Sequence, residues 1–309
     1  MMAGVFLMIT NHCRMKIKGI FSHSKTGSRI IQLTAVALFF VLFFSLLSVW
    51  VTKGDLSDIK ALKFTQFFQS LGMFVIPPFF LAYIWSEQAL DYLRINRSPS
   101  GTNIMFAVIV MLVAIPAVNL LGELNHALPF PDTLSWLENH LIDMEKRAED
   151  LTIRMLNVND VSGLLVNIGL IAIIPAIGEE LFFRGIIQQV LQAKFKSHVA
   201  VWITAIIFSA IHFQFFGFIP RMLMGAFLGY LLVWTQNLWI PIIAHFVNNA
   251  AAVLFYYFKG EGKTWVDIEN IGKSDSYIFG IISLLAVFML IYLFRKKQNA
   301  SGEVNQESL

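Results

Sequence analysis

The chain has 309 residues, 57% hydrophobic and only 14% charged, with mean hydropathy +0.66 and a formal net charge of +3. Soluble domains carry about 25% charged residues, so this composition excludes an ordinary soluble domain and predicts an all-α polytopic membrane protein. No basic stripe with interleaved aromatics, zinc-knuckle spacing or phosphate-cradling glycine loop occurs, which argues against nucleic acid as a partner.

Residues 1–29 read as a basic cytoplasmic tail. The apolar run at 1–10 precedes Arg14, Lys16, Lys18, Lys25 and Arg29, the reverse of a secretory signal, in which charge comes first. Cys13 is the only cysteine, permits no intramolecular disulfide and reads as a free thiol in that tail. The run at 30–51 is then an uncleaved first span.

A hydrocarbon core about 30 Å thick needs roughly 20 apolar residues in a helix. On that measure spans run near 30–51, 64–85 and 103–121, then from 161 through Glu179-Glu180, and near 199–216, 222–234, 238–258 and 277–294. That makes about eight transmembrane helices, the short sixth being the weakest. Pro77-Pro78 should kink the second. The regions are an N-terminal three-span block (30–121), a loop (122–160), a core (161–258), a loop with the last span (259–294) and a polar tail (295–309). No internal repeat of the kind seen in many transporters is present.

The Lys/Arg bias sets orientation. Five basic residues in the first tail, Arg295-Lys296-Lys297 after the last span, and Arg94, Arg97, Lys194 and Lys196 between spans place both termini in the cytoplasm. The opposite side receives Asp55, Asp58 and the acids of the long loop. In that loop Leu134, Leu137, Leu141, Met144, Ala148, Leu151 and Met155 recur at spacings of three and four. They predict an extracytoplasmic amphipathic helix, capped by Asp132 or Thr133 and packed on the span ends or lying in the interface. A dimerising coiled-coil seam is the alternative.

Three spans carry polar groups. They hold Glu179, Glu180 and Arg184; Phe208 and His212; and His245, Asn248 and Asn249. A charged side chain at the bilayer centre costs about 2.5–3.5 kcal/mol on insertion scales, so these residues are paired, functional or both. Adjacent positions on a helix diverge by about 100°. Glu180 is therefore the i,i+4 partner of Arg184, and Glu179 points to a neighbouring helix. At about 1.5 Å rise per residue, Glu180, His212, His245 and Asn249 fall at similar depth and can converge on one cavity.

Two chemistries fit such a cavity. A carboxylate near a histidine can activate water, with a second histidine and an asparagine amide stabilising the oxyanion. Alternatively Glu179, His212 and His245 are the three ligands of a catalytic zinc. Spacing leaves both open. The plainer readings are interhelical hydrogen bonds for the histidines and asparagines, and a neutralised ion pair for Glu180 and Arg184. The glycines of Gly225-Ala226-Phe227-Leu228-Gly229 form a small-residue face for helix contact.

Glu179-Glu180-x-x-x-Arg184, Phe208-x-x-x-His212 and His245-x-x-x-Asn249 resemble the three motifs of the CPBP family, the type II CAAX prenyl endopeptidases and bacteriocin-processing membrane proteases. Phe183-Arg184-Gly185 and Leu238-Trp239-Ile240-Pro241 fit the same pattern. The resemblance covers about residues 165–252. It implies an eight-helix intramembrane endopeptidase of a plasma membrane, acting on a membrane-associated protein or peptide. Glu179 and His212 would activate water, His245 and Asn249 would form the oxyanion site, and Glu180 and Arg184 would support them. No cofactor is favoured, and zinc is the alternative, because no second group that would orient three ligands can be named from sequence. A non-catalytic scaffold or immunity protein and a proton-coupled transporter are the competing functions.

Overall fold

The computed structural model describes residues 17–128, 130–260 and 270–300. Cys13, the 1–10 run and the tail beyond 300 lie outside them. The described residues form helices and turns without strands, as a chain must inside lipid, where each backbone polar group needs a partner within its own segment.

The longer helices are α1 (Thr26–Thr52), α2 (Ile59–Trp85), α3 (Gly101–Val113), α4 (Ile115–His126), α5 (Ser135–Leu156), α6 (Val161–Gln192), α7 (Ser197–Ala210), α8 (Phe218–Thr235), α9 (Trp239–Gly260) and α10 (Tyr277–Ala300). Six of them, α1, α2, α6, α8, α9 and α10, are long and apolar enough to cross a bilayer, and the bent pair α3–α4 makes a seventh candidate. The protein is a polytopic membrane protein. All eight stretches read as spans are helical, but the short one is the fifth. Helix α7 has 14 residues and rises about 21 Å, whereas the sixth starts at Phe218 and takes Arg221 into its first turn.

Proline marks a departure from regular α-helix in three places. In α2 a π-helical turn, Leu71–Val75, precedes Pro77-Pro78, and the helix runs on to Trp85. The wider turn accommodates the rings and the missing donors. Helix α6 uses the same device at Ile168–Ile173 ahead of Pro175, then again at Phe183–Gln188. The third predicted span instead breaks by 46° into α3 and α4. There Ser283 of α10 repairs the backbone: its Oγ donates to the Val113 carbonyl (2.5 Å) and accepts from the Ala117 N–H (3.1 Å). Those two groups would have bonded each other in an unbroken helix.

Close helix contacts hold the bundle around α6. Gly178 sits where a Cβ would meet Phe74 at 2.9 Å and Val75 at 3.0 Å, so α6 presses on the π turn of α2. The Gly225–Gly229 face packs on Ala205, Phe208 and Val201 of α7. Ser48 and Thr65 hydrogen-bond at 2.8 Å between α1 and α2, as do Trp85 Nε1 and Gln32 at 2.6 Å.

Helix α5 spans the loop as the apolar spacing predicts, but neither Asp132 nor Thr133 caps it. Residues Asp132–Leu134 form a 3-10 turn and the helix starts at Ser135 without a side-chain cap. Its last turn is buried at Met155 and Leu156, and Arg154 donates to the Ser57 carbonyl at 2.8 Å. The helix lies across α2, α6 and α9.

Candidate active site

The Glu179–Glu180 pair lies on the short α-helical stretch Ile174–Phe182, between the two π turns of α6. Neighbouring side chains there point in different directions, and the two carboxylates have different surroundings. Glu180 and Arg184 are fully buried, and Arg184 Nη1 donates to Glu180 Oε1 at 2.6 Å. Arg184 Nη2 donates to the Gly225 carbonyl at 2.6 Å, and its guanidinium lies 4.7 Å over the Phe208 ring. This cation is held from α6, α7 and α8 at once.

Glu179 turns the other way. Its Oε2 lies 3.9 Å from His212 Nε2 and 3.9 Å from His245 Nε2. With His212, His245, Asn248 and Asn249 it lines a cavity of about 350 Å³. Glu180 and Arg184 lie behind that wall. The structure thus brings Glu179, His212, His245 and Asn249 to one cavity.

Both imidazoles are oriented from behind. His245 Nδ1 contacts Glu180 Oε1 at 2.9 Å. The same Glu180 Oε1 accepts from Arg184 Nη1, so Nδ1 is the donor in that bond. His212 follows the end of α7, in the turn Ile211–Gln214, where Phe213 is left-handed (φ 53°). There its Nδ1 donates to the Phe208 carbonyl at 2.7 Å. The four-residue spacing from Phe208 to His212 therefore encodes a cap on a helix carbonyl as well as ring packing. Irregular backbone between the helices of a membrane protein is tolerated where it lines a cavity. Asn248 Nδ2 donates to Asn249 Oδ1 at 3.2 Å, which leaves the Asn249 amide N–H groups for the cavity.

These contacts overturn the reason for disfavouring a metal. Orienting partners do exist, Glu180 for His245 and the Phe208 carbonyl for His212, and such partners accompany metal-bound histidine. The spacing is the better test. Ligands of a tetrahedral zinc at 2.0–2.2 Å stand about 3.3 Å apart, so the observed 3.9 Å separations are about 0.6 Å too wide. An oxygen about 2.8 Å from Glu179 and from one histidine, at ordinary hydrogen-bond lengths, fits the same gap with an angle of roughly 90°.

Several wall residues are not among those the sequence singles out. Arg221 is the charged residue of α8 and lines this cavity together with Gln66, Thr152 and Met155. Its guanidinium donates to the Gln214 side chain at 2.8 Å, and Glu145 of α5 and Glu179 are its acidic neighbours. The predicted span starts near 222, one residue past Arg221. Thr152 and Met155 show that α5 closes one side of the site. Arg221, Met224 and Asn248 also line a larger cavity of about 790 Å³ that reaches Glu123 and Lys273.

Residues 161–251, which hold all the charged and polar motif side chains, match the family model of type II CAAX prenyl endopeptidase Rce1-like proteins. The uncharacterized protein YpbD of Bacillus subtilis (strain 168) is 32% identical over 84 residues, which is 26% of this chain and 40% of YpbD. The chain thus aligns with less than half the length of that curated relative. No solved structure matches it significantly.

Proposed function

From an Rce1-like segment in which Glu179, His212, His245 and Asn249 line one cavity, we propose that the protein is an intramembrane endopeptidase. Its substrate is a peptide bond of a membrane-associated protein or peptide, and its nucleophile is water activated by Glu179. The observation that carries this reading is Glu179 Oε2 at 3.9 Å from both His212 Nε2 and His245 Nε2.

The tautomers assign roles. His212 spends its Nδ1 proton on the Phe208 carbonyl, so its Nε2 lone pair accepts one hydrogen of the water while Glu179 accepts the other. Glu179 takes that proton as the oxygen attacks the carbonyl carbon, and returns it to the amine as the carbon–nitrogen bond breaks. His245 already donates from Nδ1 to Glu180. It can therefore donate from Nε2 to the oxyanion only when doubly protonated. The Asn249 amide supplies a second donor.

Glu179→Gln tests the assignment. Purified, folded variant in proteoliposomes should lose peptide cleavage by at least about 100-fold, and a proteomic comparison of wild-type and variant membranes should reveal the substrate. Wild-type turnover by the variant sinks the reading, and an unchanged phenotype in cells favours a scaffold.

A zinc-dependent form of the same protease has one specific observation in its favour, the two oriented imidazoles facing one carboxylate. In it Glu179, His212 and His245 would hold the ion and zinc would acidify a bound water. The glutamate form predicts that chelator leaves cleavage intact and elemental analysis finds no stoichiometric metal. One zinc per chain, lost together with activity, reverses the choice.

A further inference from the structure

A second cavity, of about 360 Å³, opens on the side of the bundle between α3, α4, α7, α8 and α10. Its long walls are apolar, including Leu223 and Phe227 of α8 and Leu284, Phe288 and Ile291 of α10. Its mouth is different. Arg295 of α10, Trp234 and Tyr230 of α8 and His198 of α7 gather there, and no aspartate or glutamate lines the groove. Arg295 lies 5.8 Å over the Trp234 ring, Tyr230 stacks on that ring at 5.4 Å, and His198 Nδ1 meets the Tyr230 hydroxyl at 2.8 Å.

Trp234 is 5% exposed, yet its indole N–H has no hydrogen-bond partner among the described residues. A buried donor left unpaired costs about 1–3 kcal/mol, so its place beside a cation at a groove mouth points to an absent acceptor. From Leu284 to Arg295 α10 rises roughly 16 Å, about half of a ~30 Å hydrocarbon core. Along α10 the groove thus matches about the depth of one leaflet, with its charge at one end.

We propose that this groove is a binding site for an anionic phospholipid. The phosphate pairs with Arg295 and, once the indole turns toward the mouth, accepts from Trp234 Nε1, which is closed to solvent in this structure; one acyl chain lies along Phe227, Phe288, Ile291 and Leu284. The site goes beyond the peptidase reading and does not depend on it. It meets the catalytic cavity at Met224, which lines both.

Native mass spectrometry of the full chain in detergent, with phosphatidylglycerol or phosphatidylcholine added in equal amounts, tests this. Phosphatidylglycerol should be retained as one molecule per chain, about fivefold over phosphatidylcholine. Arg295→Gln should abolish that preference, and Trp234→Phe, which keeps the ring and removes the N–H, should weaken retention about tenfold. Glycerol 3-phosphate, a head without a chain, should not compete. Equal retention of the two lipids by the wild-type chain, or competition by glycerol 3-phosphate, overturns the proposal without involving any variant's folding.

Discussion

Glu179 and Glu180 are neighbours in sequence with opposite surroundings, one aimed into a cavity and one locked to Arg184 and His245. Removing one partner of a buried ion pair costs about 3–5 kcal/mol, because the remaining charge stays buried. Glu180→Gln should therefore lower the thermal midpoint sharply, whereas Glu179→Gln should leave it close to wild type while cleavage is lost. Thermal unfolding in detergent separates the two, and equal destabilisation would remove the distinction. The divergence of the two carboxylates is legible in the sequence, since adjacent helical residues diverge by about 100°. That Glu180 also orients His245 is not, because nothing local links positions 65 residues apart.

At the scale of elements, the site depends on irregular pieces of helix. The π turns of α6 flank the glutamates, the turn after α7 carries His212, and Ser283 bridges the break between α3 and α4. Ser283→Ala leaves a part-buried carbonyl and a buried N–H unpaired and should cost about 1–3 kcal/mol, read as a lower thermal midpoint that a distant surface serine-to-alanine change does not reproduce. Gly178→Val would drive side-chain atoms into Phe74 and Val75, an overpacking cost of about 1–3 kcal/mol. Helix α5 offers a functional counterpart. Thr152 is exposed on it and lines the cavity, so Thr152→Trp should narrow the entrance and cut peptide turnover, with stability within about 0.5 kcal/mol of wild type. Unchanged kinetics would show that substrate enters elsewhere.

At the scale of the whole molecule, the Lys/Arg distribution predicts a cytoplasmic N-terminus and an external α5. The lone cysteine makes this direct to measure. Membrane-impermeant maleimide on intact cells should spare Cys13 until the membrane is permeabilised, and should label Glu149→Cys in a Cys13→Ser background without permeabilisation. The reverse pattern inverts the topology. The same distribution predicts that the proposed groove mouth, with Arg295 and His198, lies on the same side as Cys13.

The sequence by itself determined the membrane class, the positions of the helical stretches and the residues of the three motifs. Each of these is written in local composition or in a spacing along one helix. The length of α7, the α3–α4 break, the entry of Arg221 into the cavity and the covering of that cavity by α5 were decided only in the tertiary structure. Each depends on which neighbour supplies a partner for a backbone group or space for a side chain, and that partner lies far along the chain. The orientation of the two histidines belongs to the same class. Their roles follow from what holds Nδ1, a carbonyl in one case and a buried carboxylate in the other, and only packing brings the second of these together.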